Sequence, residues 1–221
     1  MRVTSSTDSA DQVEGQVRHE ERDPEQEARR QLALAQIRQY PDDALRMAAH
    51  PIEEFDDDLR RLVDRMSQLM VDASGVGLAA TQVGVLQRLF VFAPDADRIL
   101  TLVNPEIVSR SDETETEDEG CLSMQGVTVS VERPASVRIE GRNERGKKVA
   151  YDLQGMAARI AQHELDHLDG TLILDRTTPE DRRKALAILR PRVYLRQAWW
   201  QIRPLSGASQ TKPGSAVVRG A

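Results

Sequence analysis

The chain has 221 residues and a formal charge of −6, from 30 Lys and Arg against 36 Asp and Glu. No broad basic field therefore draws it to nucleic acid or to anionic membranes. No apolar run approaches the roughly 20 residues that cross a bilayer, and the N-terminus lacks a signal-peptide hydrophobic segment, so a cytoplasmic location is the simplest expectation.

Residues 1–22 are rich in Ser, Asp, Glu, Gln and Arg with isolated valines, a composition that cannot offset chain entropy by burial, and disorder is expected there. Asp23-Pro24 followed by Gln26 has the form of a helix start leading into LALAQIRQY. From Asp57 to Val71 the residues Leu59, Leu62, Val63, Met66, Leu69 and Met70 recur at helical spacing, which predicts one buried stripe with the methionines as core packing. QRLFVFAP, ILTLVNPEIV, VTVSV, SVRIEGR and KKVAYDL are short runs of strand type, the last two joined by Asn143-Glu144-Arg145-Gly146 as a hairpin. The acidic run DETETEDE at 112–119 reads as a solvated loop. Gly155 to Asp169 reads as a helix stopped at Gly170, and Thr178-Pro179-Glu180-Asp181 as the start of a final helix that Pro191 ends or bends. Trp199-Trp200 is expected to pack on the domain, and residues 206–221 to form a flexible Gly/Ser tail. The catalytic domain is thus expected over 23–205. Strands in a block followed by helices indicate an α+β fold, with small mixed or antiparallel sheets around a central helix.

That central helix carries QHELDHLDG, residues 162–170, which holds two of the four histidines. At about 100° per residue, His167 returns to about 40° from His163 and Glu164 lies near 100°, so the three share one sector. Imidazoles one turn apart are good first-row metal ligands, and an adjacent carboxylate can exchange protons with water activated by the metal. The competing reading is a pair of exposed histidines ion-paired with Asp166 and Asp169. The position of a third histidine in the metzincin pattern holds Ile173, which excludes that class. A thermolysin-like acid would be Glu180, which sits where a carboxylate has an ordinary role in a first helical turn. The remaining soft donor is Cys121 in EGCLS, the single cysteine of the chain, which in isolation reads as a small buried hydrophobe. With no disulfide partner in the chain, it fits a reducing compartment.

Three segments taken together, GVGLAATQ at 75–82, EGCLS at 119–123 and QHELDH at 162–167, resemble the motifs of the peptide deformylase family in order and approximate separation. The likeness runs through LVNPEI and HLDGTLILDR and covers roughly residues 30–190. It implies hydrolysis of the N-formyl group of formyl-methionyl nascent peptides, in protein biosynthesis, releasing formate and a free N-terminal methionine. It further implies Cys121, His163 and His167 as metal ligands and Glu164 as general acid and base. Gln82, by its side-chain amide, and Leu122, by its backbone N–H, would be donors to the formyl oxygen. Val76, Gly77 and Gly120 would pair with the substrate backbone in strand fashion, while Leu122 and Ile160 would line a methionine pocket. The resemblance favours one Fe(II) per chain, with Zn, Ni or Co also accepted by a Cys-His-His donor set. It makes the ribosome a contextual partner.

GVGLAATQ lacks the dinucleotide pattern because Ala80 holds the last glycine position. Where the family commonly has a proline one residue after EGCLS, this chain has Gln125, and no basic residue follows before Arg133. That departure and the long N-terminal extension fit a specialised second copy of the enzyme.

Overall fold

A computed structural model describes residues 23–96 and 98–189, together with the backbone of 12–14 and 17–19. Within the segment expected to be disordered, Gln12–Glu14 (β1) and Val17–His19 (β2) pair as an antiparallel ladder. The rest of 1–22, the tail at 206–221, Pro191 and Trp199-Trp200 lie outside the described residues.

Helix α1 spans Pro24–Leu34 and begins in a capping box: the Asp23 carboxylate accepts from the Gln26 backbone N–H at 2.8 Å, and the Gln26 side chain accepts from the Asp23 N–H at 3.2 Å. It stops inside LALAQIRQY rather than running through it, because the next backbone groups find tertiary partners. Arg38 N donates to Gln82 O at 2.7 Å and Tyr40 N to Ser123 O at 2.9 Å. Helix α2, Asp57–Asp72, matches its apolar period, with Asp56 capping the Leu59 N–H at 2.9 Å and Leu59, Val63, Met66, Leu69 and Met70 buried.

The main sheet is antiparallel with order β3-β4-β5-β8-β9: Gly77–Ala79, Leu89–Asp95, Arg98–Arg110, Ser136–Arg142 and Lys148–Gln154. Strand β4 explains why its sequence is apolar without alternation. Leu89, Val91 and Ala93 join the buried cluster containing the α2 stripe, whereas Phe90 and Phe92 join the cluster containing Ala158, Ile160, Ala161 and Leu165 of helix α3, Gly155–Leu168. A strand covered on both faces needs large side chains at every position.

The acidic run is a strand, not a loop. Thr114–Gly120 (β6) pairs residue for residue with Thr128–Pro134 (β7) as a separate two-stranded sheet. Its outer part is exposed as expected, but its last two residues, Glu119 and Gly120, are buried. Ladder pairing with β7 satisfies the backbone there, and the charged side chains mask the strand signal. A short helix α4, Ile173–Arg176, and helix α5, Pro179–Leu189, follow; Leu172, Ile173, Leu174 and Ala185 form a third buried cluster with Val129, Val131 and Cys121. Gly170 ends α3 at φ +69°, where a β-carbon would also stand 2.5 Å from the Arg46 carbonyl oxygen. No described helix is long and apolar enough to cross a membrane.

Candidate metal centre

Helix α3 brings His163 and His167 to one buried face, each 1% exposed, and the turn after β6 brings Cys121, 2% exposed, against them. Donor atoms of the three residues lie within 4.8 Å of one another. The burial excludes the surface-histidine reading, and the acids it invoked are engaged elsewhere: Asp166 with Arg133 and Arg176, Asp169 with Arg88. Glu180 pairs with Lys184 at 2.9 Å and is not part of the cluster.

The donors fit a cation. Cys121 Sγ and His167 Nε2 are 3.3 Å apart, close to the roughly 3.6 Å that a tetrahedral ion with ordinary metal–sulfur and metal–nitrogen bonds would set between them. His163 Nδ1 is 2.9 Å from Glu119 Oε2, so a proton there is held by the carboxylate and the other ring nitrogen is presented. That nitrogen, Nε2, is buried without a hydrogen-bond partner among the described residues. A buried polar atom in that state costs free energy unless something coordinates it. Burial, with the positive charge of His163 and Arg133, depresses the pKa of His167 well below its ordinary value and keeps that ring neutral. For His163, burial opposes the charged form, but the neighbouring Cys121 and Glu119 outweigh it and raise the pKa to about 10.

Glu119 is fully buried and is held ionised: burial would raise its pKa, but His163 and Arg133 bring it below the usual carboxylate range. Arg133 contacts both of its oxygens, Nε at 2.6 Å and Nη2 at 3.0 Å, and Arg159 Nη1 reaches Oε1 at 2.8 Å. Arg133 Nη1 continues to Asp166 at 2.9 Å, and Arg176 closes the chain of ion pairs on Asp166 at 2.6 and 3.1 Å. This buried network joins the β6–β7 hairpin, and so Cys121, to the helix that carries the histidines. Glu119 stood inside a quoted motif without a role, and Arg133 only as a distant basic residue. Arg159, four residues before His163 and thus on its helical face, was the available signal.

Around the three donors, Gln82 is completely buried; its amide oxygen accepts the Ala79 N–H at 2.9 Å, and its amide nitrogen is 3.0 Å from Ser123 Oγ and 3.8 Å from Cys121 Sγ. Glu164 is also fully buried, and its carboxylate lies so close to Gly77 that a β-carbon at that position would collide with Oε1. The glycine is required by this approach, since its φ is not left-handed. Val76 and Ile160 belong to one buried cluster, and Leu122, in another, also lines a cavity with Gly120 and Cys121.

A buried thiol and two imidazoles beside a carboxylate, in a fold of antiparallel sheets and helices, define a metal-dependent hydrolase with a single metal-binding site among the described residues. A family model described as polypeptide deformylase matches residues 34–183. The peptide deformylase of Thermotoga sp. (strain RQ2) is 44% identical over 149 residues, 67% of this chain and 90% of that protein. That of Parafrankia sp. (strain EAN1pec) is 42% identical over 159 residues, 72% of this chain and 87% of the relative. The crystal structure of the Thermotoga maritima peptide deformylase aligns with a TM-score of 0.63 at 43% identity, covering 65% of this chain and 97% of the other. That of Arabidopsis thaliana peptide deformylase 1B with an inhibitor gives 0.67 at 40% identity, over 70% and 87%. The chain belongs to the peptide deformylase family, and its activity is hydrolysis of the deformylase type.

Proposed function

We propose that the catalytic domain, residues 23–205, removes the formyl group from formyl-methionyl nascent peptides in the cytoplasm, with the ribosome as the source of substrate, and that α3 is its central element. The observation that carries this reading is the meeting of the buried Cys121, His163 and His167 donors, with the fully buried Glu164 next to His163 in the chain and its carboxylate against Gly77. The donor set suits Fe(II), the metal we favour, as well as zinc, nickel or cobalt. When bound, the cation supplies Lewis acidity, bringing the pKa of water towards neutrality and polarising the formyl carbonyl.

The chain's own residues do the rest. Glu164 takes the proton of the attacking water and passes it to the leaving amine. Gln82, its amide fixed by Ala79 and Ser123, and the backbone N–H of Leu122 donate to the formyl oxygen as it becomes anionic. Donors already in position stabilise that charge more than the starting carbonyl. Among the described residues, strand β3 pairs with β4 alone and β6 with β7 alone. These edges suit an extended peptide pairing with Val76, Gly77 and Gly120, a contact that tolerates varied downstream sequence. Leu122 and Ile160 are the apolar residues assigned to methionine.

Formate release from formyl-Met-Ala-Ser by iron-loaded protein is the test, with the acetylated peptide as control. Turnover of the formyl peptide alone is expected; release of internal fragments from an unformylated protein, without formate, would overturn the assignment in favour of an endopeptidase.

A further inference from the structure

A cavity of about 130 Å³ is lined by Gly120, Cys121 and Leu122, by Met124–Thr128, and by Leu34 and Arg30 of α1. It thus adjoins both the metal centre and the backbone assigned to the substrate. Among the described lining residues Arg30 is the one charged side chain, the others being aliphatic, thioether, amide, hydroxyl and glycine, apart from the ligand cysteine itself. Its side chain is 17% exposed; its Nη1 makes a long contact of 3.5 Å to Glu27, which also accepts from Gln31 at 2.6 Å. Its Nε is buried without a hydrogen-bond partner among the described residues. An ionised donor left in that state is destabilising unless an acceptor arrives, and the acceptor that best matches a guanidinium is a carboxylate. The helix that supplies it lies upstream of all but one of the residues the family model matches, which start at 34. The loop beneath it has no cation of its own between Cys121 and Arg133.

We infer that Arg30 forms a carboxylate-binding corner of the substrate cleft, so that this chain favours formyl-methionyl peptides with an acidic side chain one or two residues after methionine. This rests on the deformylase reading above. The pocket shares Gly120 with the backbone assigned to the substrate, and a lone cation among the described lining residues selects anions by charge while leaving neutral residues acceptable.

The test measures kcat and KM separately on formyl-Met-Asp-Ser amide and formyl-Met-Ala-Asp amide, each against its Asn and Lys counterpart. The wild-type chain is expected to favour Asp over Asn by about three- to tenfold at one of the two positions, through KM, in keeping with a partly buried ion pair. Arg30→Lys should keep the order and Arg30→Glu should reverse Asp and Lys. Because each comparison is made within one enzyme, a loss of folded protein in a variant cancels. Equal KM for Asp and Asn at both positions, or an Asp preference that survives Arg30→Glu, would overturn the inference while deformylation itself stands. Failure of every formyl peptide to turn over would overturn the deformylase reading and this inference with it.

Discussion

At Gly77 one added methyl group would displace the Glu164 carboxylate, which packs directly against that position. Misplacing a reacting group by an ångström costs about 100-fold in rate, and Gly77→Ala is expected to lower kcat by about that factor while retaining its metal. Rapid kinetics beside metal analysis checks this; an unchanged kcat would separate Glu164 from proton transfer. Glu119 acts one bond further from the cation. Its Oε2 orients His163 from 2.9 Å, so Glu119→Gln should weaken metal binding by about 10- to 100-fold, read by chelator competition. Affinity equal to wild type would mean that something else sets the ring. The residue chemistry of the centre was largely legible: two histidines at i and i+4, an acid between them and a lone thiol are local facts. The arginines around Glu119 were not, because charged residues read as surface until the fold shows what they pair with.

The same division appears among the elements. Helix α2 and strand β4 announce themselves by period and by unbroken apolar character, since each is set by what its own residues must bury. Strand β6 does not: its side chains favour water, and its conformation comes from β7, so pattern reading returned a loop. The end of α1 at Leu34 was hidden for the same reason, the competing partners of Arg38 and Tyr40 lying at Gln82 and Ser123. What holds the β6–β7 hairpin to α3 is the 4% exposed Arg133 between Glu119 and Asp166. Removing one member of a buried ion-pair network leaves its partners uncompensated, and Arg133→Met is expected to cost about 3–5 kcal/mol of stability in urea unfolding. A loss under about 1 kcal/mol would show that the hairpin is held by its ladder and apolar contacts instead.

Over the whole molecule, the sheet buries opposite faces against α2 and α3, and the segment after α3 is tied back by Arg46, which pairs with Asp175. Burial would raise the pKa of Asp175, but hydrogen bonds from Arg46 and from the Leu172 N–H outweigh it and lower it. A carboxyl with a depressed folded pKa contributes stability that is complete above its unfolded value, near 4, and is lost as pH falls through the folded value. Asp175→Asn should therefore lower the melting temperature at neutral pH, with the gap to wild type narrowing as the pH falls from about 5 towards 3. A gap independent of pH would assign the effect to packing. All of these parts serve one arrangement, a thiol and two imidazoles on a single ion. X-ray absorption at the metal edge of the loaded protein tests it most directly: one sulfur at about 2.3 Å and two imidazole nitrogens at about 2.0–2.1 Å are expected, with a light oxygen donor completing the set. A spectrum without sulfur, or one unchanged in Cys121→Ala, would contradict it.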